Sequence, residues 1–220
     1  DGSNLELAGQ IGGGSFAVAV QGTVAYLGVG PRLVTVDVGS PAAPRMLGQS
    51  PVLPGIVNAV HVAGTVAYVA DTLGGLRMLD VSDPAAPREL GALDTSGTAW
   101  GIDVAGGVAY VADAAAGLRL VDVTDPAAPH LLGTYDTPGD ALDVEVAGTI
   151  AYVADRARGL RAIDVDDPAA PREVGTIETA GLAFGIALSG TIAYVADGGR
   201  GLVAIDVANH RAGVRGHAER

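Results

Sequence analysis

Five tyrosines, Tyr26, Tyr68, Tyr110, Tyr152 and Tyr194, stand 42 residues apart. A fixed internal period of that length restricts a chain to architectures that repeat one supersecondary unit. Each tyrosine lies in a run such as Gly64-Thr65-Val66-Ala67-Tyr68-Val69-Ala70-Asp71. A second run ending in Asp-Val follows every time: Leu33 to Val38, Leu76 to Val81, Leu118 to Val123, Leu160 to Val165 and Leu202 to Val207. Pro-Ala-Ala-Pro then begins at Pro41, Pro84, Pro126 and Pro168, and the fifth copy lacks it.

Inside one period four short segments alternate apolar and polar residues, the pattern of half-buried strands. In the second copy they are Asn58 to Val62, Val66 to Asp71, Leu76 to Val81 and Arg88 to Leu93. Ala63-Gly64-Thr65 and Gly74-Gly75 supply hairpin turns, and Asp83-Pro84 starts the third. Pro87 enters the last strand, where a missing N–H is tolerated on a sheet edge. The expected fold is therefore all-β: a five-bladed β-propeller of four-stranded antiparallel blades in one domain, residues 5–207. Leu5 to Ile11 resembles the fourth strand of the other copies, and the fifth copy stops after its third strand. The N-terminal strand is thus expected to close the last blade, removing an open edge. Residues 208–220, with His210, Arg211, Arg215, His217 and Arg220, read as a mobile polar C-terminal tail. A monomer is expected, the main alternative being an incomplete ring whose fragments associate.

Gly117-Leu118-Arg119-Leu120-Val121-Asp122-Val123, then Asp125-Pro126-Ala127-Ala128-Pro129, with Ala109-Tyr110-Val111-Ala112-Asp113 before them, resemble the LVIVD-repeat β-propeller family over nearly all of residues 5–207. That resemblance implies a propeller fold and often an exported or cell-surface location in bacteria and archaea. It implies no single reaction, so function has to be argued from the site.

Composition excludes whole classes of chemistry. Thirteen basic residues, all arginine, against 25 acidic ones give a net charge of −12, so nucleic acid would be repelled. With no cysteine and no lysine there are no disulfides, thiolate nucleophiles, zinc-thiolate sites or Schiff bases. No apolar run is long enough to span a bilayer. There is no phosphate-binding Gly-x-x-x-x-Gly-Lys-Ser loop, no nucleophile elbow and no His-Glu-x-x-His helix.

Asp37, Asp80, Asp122, Asp164 and Asp206 recur once per repeat, and Asp71, Asp113, Asp155 and Asp197 in four of five. Such carboxylates can build a calcium array. The stronger reading makes them turn caps and partners for the recurring Arg77, Arg119 and Arg161. The repeated tyrosines are expected in the core, their hydroxyls bonded to a neighbouring blade.

Function is sought where the repeats differ. Seven residues before each tyrosine stand Ala19, His61, Asp103, Glu145 and Ala187; two residues earlier stand Ala17, Ala59, Gly101, Asp143 and Gly185. Alternate residues of a strand share a face, so Asp143 and Glu145 point the same way. Val18 and Val20, Ile102 and Val104, and Ile186 and Leu188 on the other face are expected against the next blade, leaving the ionisable column to face the channel. His61, Asp103, Asp143 and Glu145 are the candidate catalytic residues. Ten residues before the tyrosines, Phe16, Asn58, Trp100 and Phe184, with Leu142, are expected to form a ligand-binding collar at the channel mouth.

Two function classes compete. One is a binding or interaction scaffold for a protein or small-molecule ligand. The other is an enzyme, a hydrolase, lyase or isomerase, using the channel cluster for acid/base or metal-assisted chemistry. Glycoside cleavage by paired carboxylates is one such chemistry. No cofactor is evident, although one histidine with two or three carboxylates can hold a divalent metal. A plain hydrated channel is the competing account of the cluster.

Overall fold

The structure is a computed structural model that describes residues 10 and 14–208. It is all-β, a five-bladed β-propeller with only short 3-10 turns between strands. Blade one consists of β1 (Ala17–Gln21), β2 (Val24–Gly28), β3 (Leu33–Asp37) and β4 (Arg45–Gln49). Blade two consists of β5 (Val57–Ala63), β6 (Val66–Asp71), β7 (Gly75–Asp80) and β8 (Arg88–Leu93). Blade three follows with β9 (Gly101–Ala105), β10 (Val108–Ala112), β11 (Leu118–Asp122) and β12 (His130–Tyr135). Blade four has β13 (Asp143–Ala147), β14 (Ile150–Ala154), β15 (Leu160–Asp164) and β16 (Arg172–Ile177). Blade five shows β17 (Gly185–Ser189), β18 (Ile192–Ala196) and β19 (Leu202–Asp206). Every sheet is an antiparallel meander in sequence order. The expected pairing of Leu5 to Ile11 with blade five lies outside the described residues, as does the tail beyond Ala208.

The register follows the turn chemistry. Gly64 and its equivalents Gly22, Gly106, Gly148 and Gly190 take φ of 56–61 or 64°, the left-handed conformation that a tight hairpin requires. The third and fourth strands of blades one to four slip register by one residue, beside Gly48, Gly91, Gly133 and Gly175. At three of these the next blade's proline turn presses in. A Cβ on Gly91 would stand 2.5 Å from the Pro126 carbonyl oxygen, and Gly48 and Gly133 face the turns of blades two and four in the same manner. Gly175 stands at the same register slip in blade four, which is followed by a blade whose sequence has no Pro-Ala-Ala-Pro turn. A small groove of about 140 Å³ lies there between Gly175, Ile177, Ile205 and Val207.

Four junctions of one design hold the blades together. At the second, Tyr68, Ala70, Leu76 and Met78 of blade two pack on Ile102, Ala109, Val111, Val121 and Val123 of blade three. Tyr110, Ala112, Leu118 and Leu120 repeat this against Val144, Ala151, Val153, Ile163 and Val165, and Tyr152, Ala154 and Leu160 against Ile186, Ala193, Val195 and Ile205. The inner-strand pairs Ile102/Val104 and Ile186/Leu188 thus lie against the preceding blade, not the next one as expected. The reason is geometric: both faces of a radial sheet are covered by neighbours, so the face opposite the ionisable column meets the blade before. Val18 and Val20 depart further. They are 65% and 63% exposed.

The repeated aspartates are scaffold. Oδ1 of Asp37, Asp80, Asp122, Asp164 and Asp206 accepts the amide two residues on, and the first, second and fourth also pair with Arg45, Arg88 and Arg172. Hydrogen bonds from the Ser82 hydroxyl and amide, then Arg88, hold the Asp80 carboxyl down at about 2. The second set is fully buried: Asp71, Asp113, Asp155 and Asp197 accept the amides of Gly55, Gly97, Gly139 and Gly181, each of which opens the path to an inner strand. Arg77, Arg119 and Arg161 lie 3.7, 3.4 and 3.3 Å from the first three. Burial still pushes the Asp71 and Asp155 carboxyls up. No group of three histidine or carboxylate side chains among the described residues is placed to hold a metal ion.

Candidate functional site

The inner strands β1, β5, β9, β13 and β17 each leave one edge toward the central channel, with backbone N–H groups that no further strand pairs. A cavity of about 520 Å³ opens there. Its lining includes His61, Asp103, Asp143 and Glu145, and also Phe16, Asn58, Trp100, Leu142 and Phe184. Sequence reasoning therefore brought together residues that the fold also brings together. Of the small residues that the first and fifth repeats place in these two columns, Ala17 lines the cavity and Ala19, Ala187 and Gly185 do not.

The ionisable column does more than line space. Asp103 Oδ2 accepts the Val146 amide at 2.8 Å, and Asp143 Oδ2 and Glu145 Oε2 accept the amides of Ile186 and Leu188 at 3.0 and 2.7 Å. Each carboxylate reaches across to the free edge of the next inner strand. The Oδ1 atoms of Asp103 and Asp143 turn back to the amides of Val104 and Val144. The column thus projects at the next blade and meets the channel with its remaining surface, a refinement of the channel-facing expectation. Its amide partners carried no sequence signal, because a backbone N–H looks the same at every position; only the free inner edge of a propeller blade points to them.

His61 Nδ1 stands 3.1 Å from Asp103 Oδ1, linking blades two and three, and its ring meets Tyr68 edge-on at 6.5 Å between centroids. Burial raises the Asp103 carboxyl, but hydrogen bonds from His61 and from the Val146 and Val104 amides outweigh it, and the net shift is down. Asp143 goes the other way. Burial, only partly offset by the Ile186 and Val144 amides and reinforced by the charges of Glu145 and Asp103, pushes it up to about 6. Glu145 is also raised, first by burial and then by Asp103, against the Leu188 amide. Two carboxylates in one cavity therefore hold different protonation states at mildly acidic pH.

The mouth is apolar. Phe16, Trp100 and Phe184 are 72%, 45% and 50% exposed, well above the exposure of an inter-blade core residue. Asn58 donates from Nδ2 to the Ala99 carbonyl at 3.1 Å, which ties the collar of blade two to blade three.

The LVIVD repeat profile matches residues 12–50, 54–95, 96–137, 138–179 and 180–211, one match for each blade. The chain belongs to the LVIVD-repeat family. Its LVIVD segments are the third strands, where the Asp of each run makes the turn contact described above. No curated protein matches the chain. Among solved structures it is similar to the computationally designed Ika8 protein, at 11% identity and a TM-score of 0.72, over 88% of this chain and 58% of that one. It is also similar to the computationally designed Ika4 protein, at 12% identity and a TM-score of 0.60, over 72% of this chain and 97% of that one. The chain thus spans under three fifths of the first of these structures, and both likenesses concern the fold alone. Among the described residues no helix is long and apolar enough to cross a membrane.

Proposed function

We propose that this LVIVD propeller is a binding scaffold that seats a small organic cation at the mouth of its central channel. The carrying observation is the 520 Å³ cavity with acidic side chains on one wall and three exposed aromatic rings at its rim. Carboxylates supply acceptors, and Trp100, Phe16 and Phe184 supply ring faces on which an ammonium group is attracted. The net charge of −12 favours approach of a cation and disfavours an anion. The test is a calorimetric and thermal-shift comparison of aromatic and aliphatic amines with matched neutral alcohols and carboxylates. Amines are expected to raise the melting temperature, and Trp100→Ala or Glu145→Gln to weaken them about tenfold or more, the scale of one lost cation contact. Equal responses to alcohols and amines, or amine binding untouched by both variants, would refute this reading.

The alternative is an enzyme that uses the same cavity for acid/base chemistry. It is favoured by Asp143 at about 6 beside Asp103, whose carboxyl is held low. Against it, both oxygens of Asp143 already accept backbone amides. Turnover of a hydrolase or lyase substrate panel that His61→Ala and Glu145→Ala abolish would establish it.

A further inference from the structure

Leu33, Leu76, Leu118, Leu160 and Leu202 are the first or second residue of the third strand of the five blades. The first four are 0–3% exposed and Leu202 is 69% exposed. Tyr194 is likewise 37% exposed where Tyr68, Tyr110 and Tyr152 are buried, and Ala196 and Ala204 beside it are exposed. This is the face that, in blades two to four, carries the following blade. At the other end of the described chain, Val18 and Val20 occupy the positions of Ile102 and Val104, which pack on the preceding blade. Farther out on that face Ala25 and Val36 are buried, so the open part of blade one is its inner strand. The two open patches are the inner halves of the junction already made four times within the chain.

We propose that blade five of one copy receives blade one of a second copy, head to tail, so that Tyr194 and Leu202 cover Val18 and Val20. Shape argues for a second copy over closure within one chain. Eighty-eight per cent of these 220 residues superpose on 58% of the Ika8 chain, which is therefore about 330 residues long, room for about eight repeats of this size. Blades stepping round at the angle of about an eight-bladed ring turn about 45° each. Two copies in a ring of ten need about 36° per blade, whereas five blades alone need about 72°. The smaller adjustment is the dimer. Such an interface is heterologous, with different patches on the two sides, and two identical junctions close it. This proposal departs from the monomer expected from sequence and does not depend on the channel reading.

The experiment is analytical ultracentrifugation of the full chain across micromolar concentrations, at low and high salt. A species of twice 21.8 kDa is expected to grow with concentration and with salt, because two chains of charge −12 repel until screened. Val20→Glu and Leu202→Glu change exposed side chains, so each is expected to keep the far-UV spectrum of the parent while weakening association about 100-fold or more, as hot-spot residues do. An equimolar mixture of the two variants is the discriminating arm. The Val20→Glu copy keeps an intact blade-five patch and the Leu202→Glu copy an intact blade-one patch, so the mixture regains a dimer mass through one junction. Larger assemblies that both variants dissolve would support the same contact in an open chain. A monomer mass at every concentration, a dimer that neither variant weakens, or a mixture that stays monomeric would overturn the proposal.

Discussion

At Asp143 two demands meet. The side chain accepts amides from Val144 and from Ile186 of the next blade, yet burial makes its charged form unfavourable and raises its pKa to about 6. A carboxyl raised above its unfolded value of about 3.9 binds more protons in the folded state, so its contribution favours folding below about pH 4 and is lost as pH rises through about 6. Asp143→Asn removes that titration. Urea denaturation at pH 4.5 and 7 is expected to show the parent losing on the order of 1–3 kcal/mol relative to the variant over this window. An unchanged slope in the variant would place the titration elsewhere, Glu145 being the nearest candidate. The amide contacts also revise what the repeats suggest about tolerance. Other blades carry alanine in the column, but Asp103→Ala and Glu145→Ala strip an acceptor from the Val146 and Leu188 amides. Each is expected to cost about 1–3 kcal/mol in stability, so loss of ligand binding in these variants has to be read beside their denaturation curves.

On the scale of the strand and blade, the sequence was most legible where one physical rule acts at every repeat. Period-2 alternation and hairpin glycines placed Val66 to Asp71 and Arg88 to Leu93 at the observed bounds, and the other two strands of that blade within one residue. Repetition also separated scaffold from candidate site: Asp80 and Asp71 cap turns and amides, while the non-repeated His61, Asp103, Asp143 and Glu145 gather in one cavity. What stayed illegible was which neighbour each face meets, because alternation reports two faces but not the order of blades round the ring. The close approach at Gly91 was equally silent, since it depends on the turn of the next blade. A Cβ there would stand 2.5 Å from the Pro126 carbonyl oxygen and 3.1 Å from Ala127 backbone atoms. Neither neighbour is a flexible side chain, so Gly91→Ala is expected to destabilise by about 1–3 kcal/mol, the range for an overpacked contact. Gly185→Ala in β17, where an added Cβ would meet nothing closer than Asp143 Oδ2 at 3.6 Å, serves as its control and is expected to stay within about 0.5 kcal/mol in chemical denaturation. Equal costs at the two positions would mean that strand-interior glycine, and not the turn contact, sets the effect.

Across the whole molecule, one leucine column reports how the arc of blades is stabilised. In a repeat array each unit gains stability chiefly from its neighbours, so identical residues differ in worth according to what covers them. Leu76 and Leu118 are fully buried and Leu160 nearly so, between two blades each, while Leu202 faces outward. Truncating any of the first three to alanine leaves a cavity and is expected to cost about 2–5 kcal/mol. The same change at Leu202 is expected to cost less than about 0.5 kcal/mol in dilute protein, where a second copy does not cover it. Raising the protein concentration then separates the accounts of the open face. If a second copy covers it, the cost of Leu202→Ala grows with concentration, since association stabilises the parent by mass action and the variant less. If the chain closes on itself, the cost matches that of Leu118→Ala at every concentration. Denaturation midpoints of the four variants over a hundredfold concentration range therefore decide whether blade five ends the assembly, joins its own first blade, or joins another molecule's.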